Sequence, residues 1–105
     1  MENVTVDQLL LAIASGPIRL IDVREPAEFN SGHVEGAVLL PMSLIPLRKD
    51  ELVGEPPVYL ICESGNRSSQ AMHFLSGQGI EVSNVEGGMG VWRWAGHPVA
   101  TGMDT

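Results

Sequence analysis

An unbroken apolar run, Val58-Tyr59-Leu60-Ile61-Cys62, is the feature of this 105-residue sequence that most constrains its fold. A strand without alternating polar residues has no face that suits water, so both of its faces must be covered. Parallel sheets with helices on both sides provide this cover. We therefore predict that the segment from Pro57 to Cys62 is a central strand of an α/β domain.

Shorter apolar segments and helical patterns alternate along the rest of the chain. Thr5 and Gln8 form a capping-box pattern ahead of the first helical apolar face. The patterns predict strands at 18–23, 37–40, 57–62 and 80–85, and helical segments after Thr5, at 25–29, in part of 43–52, at 67–76 and around Trp92 and Trp94. This alternation predicts a largely parallel sheet in one domain, 1–105, with a loosely held tail at 99–105.

Composition excludes several classes of function. The net charge of −7 argues against nucleic acid and against an anionic membrane surface as partners. A single cysteine cannot form an intramolecular disulfide, and the absence of a CxxC pair argues against structural zinc. The acidic N-terminus does not resemble a signal peptide, and we expect a cytoplasmic protein with a free thiol.

The single cysteine, Cys62, lies at the predicted carboxyl end of the central strand, where open α/β sheets bind their ligands. Turn-forming residues follow, and a helix is predicted to begin near Ser68. Backbone N–H groups of such a turn and of a helix N-terminus favour a thiolate over a thiol. We predict a catalytic thiolate with a binding loop made of Glu63, Ser64, Gly65, Asn66, Arg67 and Ser68; the alternative is an inert, buried cysteine.

Four motifs occur in an order that is typical of one family. They are Ile21-Asp22-Val23-Arg24-Glu25 followed by Glu28-Phe29, Gly32-His33-Val34-Glu35-Gly36-Ala37, the loop Cys62 to Ser68, and Gly87-Gly88 through Trp92 with Gly96 and Pro98. Together they resemble the motifs of single-domain rhodanese-type sulfurtransferases over nearly the whole chain. The resemblance implies a rhodanese-like three-layer α/β fold, in which helices flank a mostly parallel central sheet of about five strands.

The resemblance also implies a sulfur relay. Cys62 would attack the sulfane sulfur of thiosulfate or another persulfide donor, hold it as a persulfide, and pass it to a thiophilic acceptor such as a thiol or a protein. The N–H groups of residues 63–68 would stabilise the anionic terminal sulfur. No cofactor and no metal ion are needed.

Other chemically suggestive residues have structural interpretations. Asp22 and Arg24 end a predicted strand, and a carboxylate there could hold Arg67 in a bidentate pair. A structural ion pair that braces the end of the sheet is the favoured interpretation. We interpret His33 as a structural, hydrogen-bonded histidine, and the two tryptophans as cover for the core.

Glu63 departs from the residues that many family members place after the cysteine. A carboxylate there would repel thiosulfate by about 1 kcal/mol if solvated, which favours a protein or small-molecule persulfide as the donor. One alternative function is a cysteine phosphatase or arsenate reductase. Its loop has five residues between cysteine and arginine, whereas four separate Cys62 from Arg67. The other alternative is a non-catalytic rhodanese-like binding module, although such modules often lose the cysteine.

Overall fold

The computed structural model, which describes residues 2–103, contains a parallel sheet with helices on both faces. Its strands are β1 (Glu2–Val4), β2 (Arg19–Asp22), β3 (Val38–Leu39), β4 (Val58–Ile61) and β5 (Ser83–Val85). The α-helices are α1 (Val6–Ser15), α2 (Pro26–Ser31), α3 (Ile45–Arg48), α4 (Asn66–Gly77) and α5 (Gly88–Trp94), with 3-10 turns at Met42–Leu44 and Lys49–Leu52. The five-stranded order is β1-β5-β4-β2-β3 and every pairing is parallel, so the predicted fold class and the central position of β4 are confirmed.

Side chains of β4 point alternately into two apolar clusters, one on each face of the sheet. Leu60 lies in the cluster that includes Leu75 of α4. Ile61 lies in the cluster that includes Leu9 of α1 and Trp92 of α5. Leu60 and Ile61 are both completely buried, which explains why apolar residues occupy both faces of this strand.

Several details differ from the sequence-based predictions. Strand β1 was not predicted, because three residues at the edge of a sheet are too few to form an apolar pattern. The last strand covers only Ser83–Val85 of the predicted 80–85. Trp94, which was expected to cover the core, is 89% exposed. Trp94 is the last residue of α5, whereas Trp92, two positions earlier, packs in the apolar cluster against the sheet.

Hydrogen bonds hold part of the tail that we expected to be loosely held. His33 and Ala100 exchange two backbone hydrogen bonds of 2.8 and 2.9 Å, and Gly102 donates to the carbonyl of Asn30. The indole N–H of Trp92 donates to the carbonyl of Pro98. Residues 104 and 105 lie outside the described residues. None of the helices within residues 2–103 has the length and apolarity that crossing a membrane requires.

We expect Leu60→Ala to lower the free energy of unfolding by about 3 kcal/mol, because it removes a fully buried side chain from the central strand and leaves a cavity. Urea denaturation measures the change. Leu47→Ala is the matched control, since Leu47 is 83% exposed and its truncation should cost less than about 0.5 kcal/mol. Equal losses in the two variants would contradict the assignment of β4 as the centre of the core.

Candidate active site

The loop from Cys62 to Ser68 connects the carboxyl end of β4 to the first turn of α4. Gly65 caps the helix with φ of +94°, a left-handed conformation that glycine adopts without strain. A Cβ atom at this position would also lie 3.1 Å from the backbone nitrogen of Gly87. The strand, the tight turn and the helix therefore have the arrangement that the sequence predicted for a thiolate site.

Hydrogen-bond donors converge on the sulfur of Cys62, which is buried and 1% exposed. The N–H groups of Gly65 and Ser68 lie 3.1 and 3.4 Å from Sγ, and the hydroxyl of Ser68 lies at 3.2 Å. Burial raises the pKa of the Cys62 thiol, but hydrogen bonds from Ser68, Gly65 and Ser64 outweigh burial and hold the pKa below its usual value. The site therefore makes the Cys62 thiol easier to ionise than an ordinary cysteine.

The start of α5 fixes the backbone of the same loop. The N–H of Met89 donates to the carbonyl of Cys62 at 2.8 Å, and the N–H of Gly90 donates to the carbonyl of Glu63 at 2.9 Å. A Cβ atom at Gly88 would overlap the carbonyl oxygen of Cys62, so this close approach requires glycine. In the sequence, Gly87-Gly88 is part of a family motif, and this contact with the loop could not be predicted from it.

The side chain of Arg67 pairs with a carboxylate of α2. Its two terminal nitrogens each donate to a carboxylate oxygen of Glu28 at 2.8 Å, which is a bidentate ion pair. Asp22 therefore does not hold Arg67, which was the alternative to a structural ion pair. Asp22 instead accepts hydrogen bonds from Arg24 within the buried ion pair that the favoured interpretation predicted.

Glu63 is also paired, although the sequence suggested an unbalanced negative charge. Its carboxylate accepts hydrogen bonds of 2.7 and 3.2 Å from Arg93 of α5, and a 3.4 Å contact from Arg24. Sequence reasoning missed Arg93 because it lies 30 residues from Glu63 along the chain. Two guanidinium groups therefore offset the charge of Glu63 beside the cysteine loop.

The remaining residues singled out in the sequence have local roles. His33 is completely buried, stacks on Phe29 with ring centroids 3.7 Å apart, and bonds the carbonyl of Phe29 through Nδ1, as a structural histidine does. Ser64 and Asn66 line a cavity of about 260 Å³ beside the loop, which Asn84 also lines.

Fold and site together define a class of protein: a small parallel α/β domain that presents a hydrogen-bonded cysteine between its central strand and the following helix. The chain belongs to the rhodanese-like domain family, whose profile matches residues 5–95. The family resemblance found in the sequence motifs is thereby confirmed.

Three similar proteins illustrate this relationship. A protein of Bacillus subtilis (strain 168), YqhL, is 44% identical over 75 residues, which cover 70% of this chain and 60% of YqhL. A protein of Allochromatium vinosum named sulfurtransferase is 41% identical over 83 residues and 78% of each chain. The crystal structure of a rhodanese-like domain protein from Staphylococcus aureus superposes with a TM-score of 0.86 at 31% identity, covering 97% of this chain and 99% of that one.

We expect Glu28→Gln to destabilise the protein by about 1 kcal/mol at neutral pH, a value discounted because both partners are about one-third exposed. The hydrogen bonds from Arg67 lower the pKa of Glu28 from 4.5 to about 2. The ionised carboxylate therefore stabilises the fold fully above pH 4.5, and this contribution is lost as the pH falls towards 2.

Urea denaturation at a series of decreasing pH values measures this effect. The difference between wild type and Glu28→Gln should shrink as the solution is acidified through the range between these two pKa values. Glu51→Gln is the control, since its pair with Arg48 lies on the surface and should contribute less. A difference that stays constant with pH would contradict the assignment.

Proposed function

We propose that this protein is a sulfurtransferase that carries sulfane sulfur as a persulfide on Cys62. The observation that carries the proposal is the convergence of two backbone N–H groups and one hydroxyl on the sulfur of the chain's single cysteine. Membership of the rhodanese-like domain family and similarity to the Allochromatium vinosum sulfurtransferase support it. No cofactor takes part in the proposed chemistry.

The proposed reaction has two half-reactions that balance without an added oxidant. The Cys62 thiolate attacks the outer sulfur of thiosulfate or of another persulfide, the donor's sulfur–sulfur bond breaks, and sulfite or a thiolate leaves with the electron pair. An acceptor thiolate then attacks the outer sulfur of the Cys62 persulfide, and Cys62 leaves as a thiolate. The donors from Gly65 and Ser68 stabilise the anion at the start and at the end of this cycle.

The position of Arg67 favours sulfur transfer over phosphoryl transfer. A cysteine phosphatase needs its loop arginine free to bind the oxygens of a phosphoryl group. Here both terminal nitrogens of Arg67 bind Glu28. The short spacing between Cys62 and Arg67 points in the same direction, because the loop offers a ring too narrow for a tetrahedral phosphate.

The burial of Cys62 restricts the donor and the acceptor. Because the cysteine is 1% exposed, a reaction partner must present its sulfur at the end of a slim group. Thiosulfate, a small-molecule persulfide and a persulfide at the tip of a protein side chain each have this shape. We propose that persulfides are the natural donors, since Glu63 remains an anionic neighbour even though Arg93 and Arg24 offset its charge.

We expect the purified protein to gain the mass of one sulfur atom on Cys62 after incubation with thiosulfate or a small-molecule persulfide. Intact-protein mass spectrometry followed by peptide mapping measures this. A small thiol should then remove the added sulfur, and Cys62→Ser should gain none. If no sulfane donor produces the adduct in the folded wild-type protein, the domain is a non-catalytic binding module and the proposal fails.

We expect Glu63→Gln to raise kcat/KM for thiosulfate about threefold at low ionic strength, and Arg93→Gln to lower it by about the same factor. The first change removes the carboxylate that opposes the guanidinium group of Arg93, while Arg24 keeps its ion pair with Asp22, and the second change leaves the carboxylate of Glu63 less compensated. Steady-state kinetics with cyanide as the acceptor measures both effects.

High salt should reduce both effects, because it screens charges that are partly exposed to solvent. Glu51→Gln is the control for net charge: Glu51 lies near the start of β2, where Arg19 binds its carbonyl, at the opposite end of the sheet from Cys62. An unchanged kcat/KM in Glu63→Gln at low salt would contradict the electrostatic argument.

A further inference from the structure

The hydroxyl of Ser68 lies between two hydrogen-bond acceptors, although it has only one proton to donate. Its oxygen is 3.2 Å from the sulfur of Cys62 and 2.5 Å from Oδ1 of Asn84, a buried residue of β5. The amide nitrogen of Asn84 in turn donates to Oδ1 of Asn3 on β1 at 3.0 Å. A continuous chain of polar side chains therefore runs from the cysteine across two strands to the surface, where Asn3 is exposed.

The hydrogen bonds of this side-chain network can run in two directions, and both fit the same positions of the non-hydrogen atoms. In the first direction, Ser68 donates to Oδ1 of Asn84 and Asn84 donates to Oδ1 of Asn3, so the oxygen of Ser68 can accept a hydrogen bond from a Cys62 thiol. In the second, both amides are rotated by half a turn, which exchanges their oxygen and nitrogen atoms. Asn3 then donates to Asn84, Asn84 donates to Ser68, and Ser68 donates to the sulfur. The first direction suits a thiol, and the second suits a thiolate.

Mixed arrangements are unfavourable, which couples the amides to the cysteine. If Ser68 turned its proton to a thiolate while Oδ1 of Asn84 still faced it, two oxygen lone pairs would meet at 2.5 Å without a proton between them. Rotation of the Asn84 amide replaces that repulsion with a donated hydrogen bond. The ionisation of Cys62 and the orientation of Asn84 therefore favour each other.

The surroundings permit this rotation. The cavity of about 260 Å³ beside the loop is lined by Asn84 and Asn3, which gives the two amides room to turn. Asn3 ends the chain in solvent, where water can accept from it or donate to it in either orientation. A buried terminal donor or acceptor would have locked one direction.

We propose that Asn84 and Asn3 position the Ser68 hydroxyl, and that this hydrogen-bond chain reverses its direction when Cys62 loses or regains its proton. The inference deepens the proposed function and rests on it for its catalytic consequence, since Cys62 returns to the thiolate at the end of each sulfur transfer. Asn84 and Asn3 are positioning residues: they act on the sulfur through Ser68.

The charged groups around Cys62 remain the same in both directions. They are Glu63 and Arg67 of the loop and α4, Asp22 and Arg24 at the end of β2, Glu28 of α2, Glu86 after β5 and Arg93 of α5. The experiment therefore changes only Asn3, the end of the hydrogen-bond chain that is farthest from Cys62, and leaves each of these groups in place.

Asn3→Asp should lock the chain in the direction that opposes the thiolate, because a carboxylate accepts hydrogen bonds and cannot donate. The measurement is the rate of Cys62 alkylation by iodoacetamide across a pH series, which reports the thiolate without requiring sulfur transfer. We expect the midpoint of the profile to move to higher pH, and the rate at the wild-type midpoint to fall about fivefold. Asn3→Ala should move the midpoint less than Asn3→Asp does, since water can accept from or donate to Asn84 in place of the lost amide.

The new charge of Asn3→Asp could also act through space, and a double-mutant cycle separates the two effects. Ser68→Ala breaks the chain between Asn84 and Cys62, so Asn3→Asp should have no effect on alkylation in that background. An equal loss in both backgrounds, or no loss in the wild-type background, overturns the proposal. Circular dichroism and thermal unfolding verify that each variant is folded.

Failure of this proposal and failure of the proposed function are distinguishable. If alkylation rates follow the double-mutant cycle as expected but no donor forms a persulfide, the hydrogen-bond chain is supported and sulfur transfer is rejected. If a persulfide forms but Asn3→Asp leaves the alkylation rate unchanged, the hydrogen-bond chain is rejected and sulfur transfer is supported.

Discussion

The burial of β4 on both faces is the constraint on which the rest of this structure depends. Because Leu60 and Ile61 are each completely buried in a different apolar cluster, the strand must lie at the centre of the sheet. The chain leaves the sheet at the carboxyl end of β4, and Cys62 is the first residue after this strand. The helix that follows must begin there too, so its first N–H groups meet the sulfur. Packing of the core thus determines the position of Cys62.

Charge around the cysteine is arranged in pairs. Arg24 binds Asp22, Arg67 binds Glu28, and Arg93 binds Glu63, so these three carboxylates are each matched by a guanidinium group. A protein of net charge −7 can in this way hold a thiolate without strong repulsion from its own acidic residues. The polarity that acts directly on the sulfur comes from backbone and hydroxyl dipoles, which are fixed in place by the fold.

Residues close together in sequence were the ones that the sequence predicted correctly. The strand, the turn and the helix around residues 62–68 are continuous in sequence, so local signals predicted these elements without tertiary information. Pairings between distant residues were missed or misassigned: Glu28 lies 39 residues from Arg67, and Asn84 lies 16 residues from Ser68. Charged and amide side chains have many compatible partners, and only the packing of helices on the sheet selects one.

The sequence by itself determined the class of fold, the central strand, and the position of the single cysteine at the end of that strand, because apolar patterning and turn chemistry act over a few neighbouring residues. It also indicated the family through motifs that lie in order along the chain. The tertiary structure decided which carboxylate holds Arg67, what balances Glu63, and how the short strand β1 brings Asn3 beside Asn84. Those outcomes depend on which elements lie side by side in space, and burial and pairing across the whole sheet determine that arrangement.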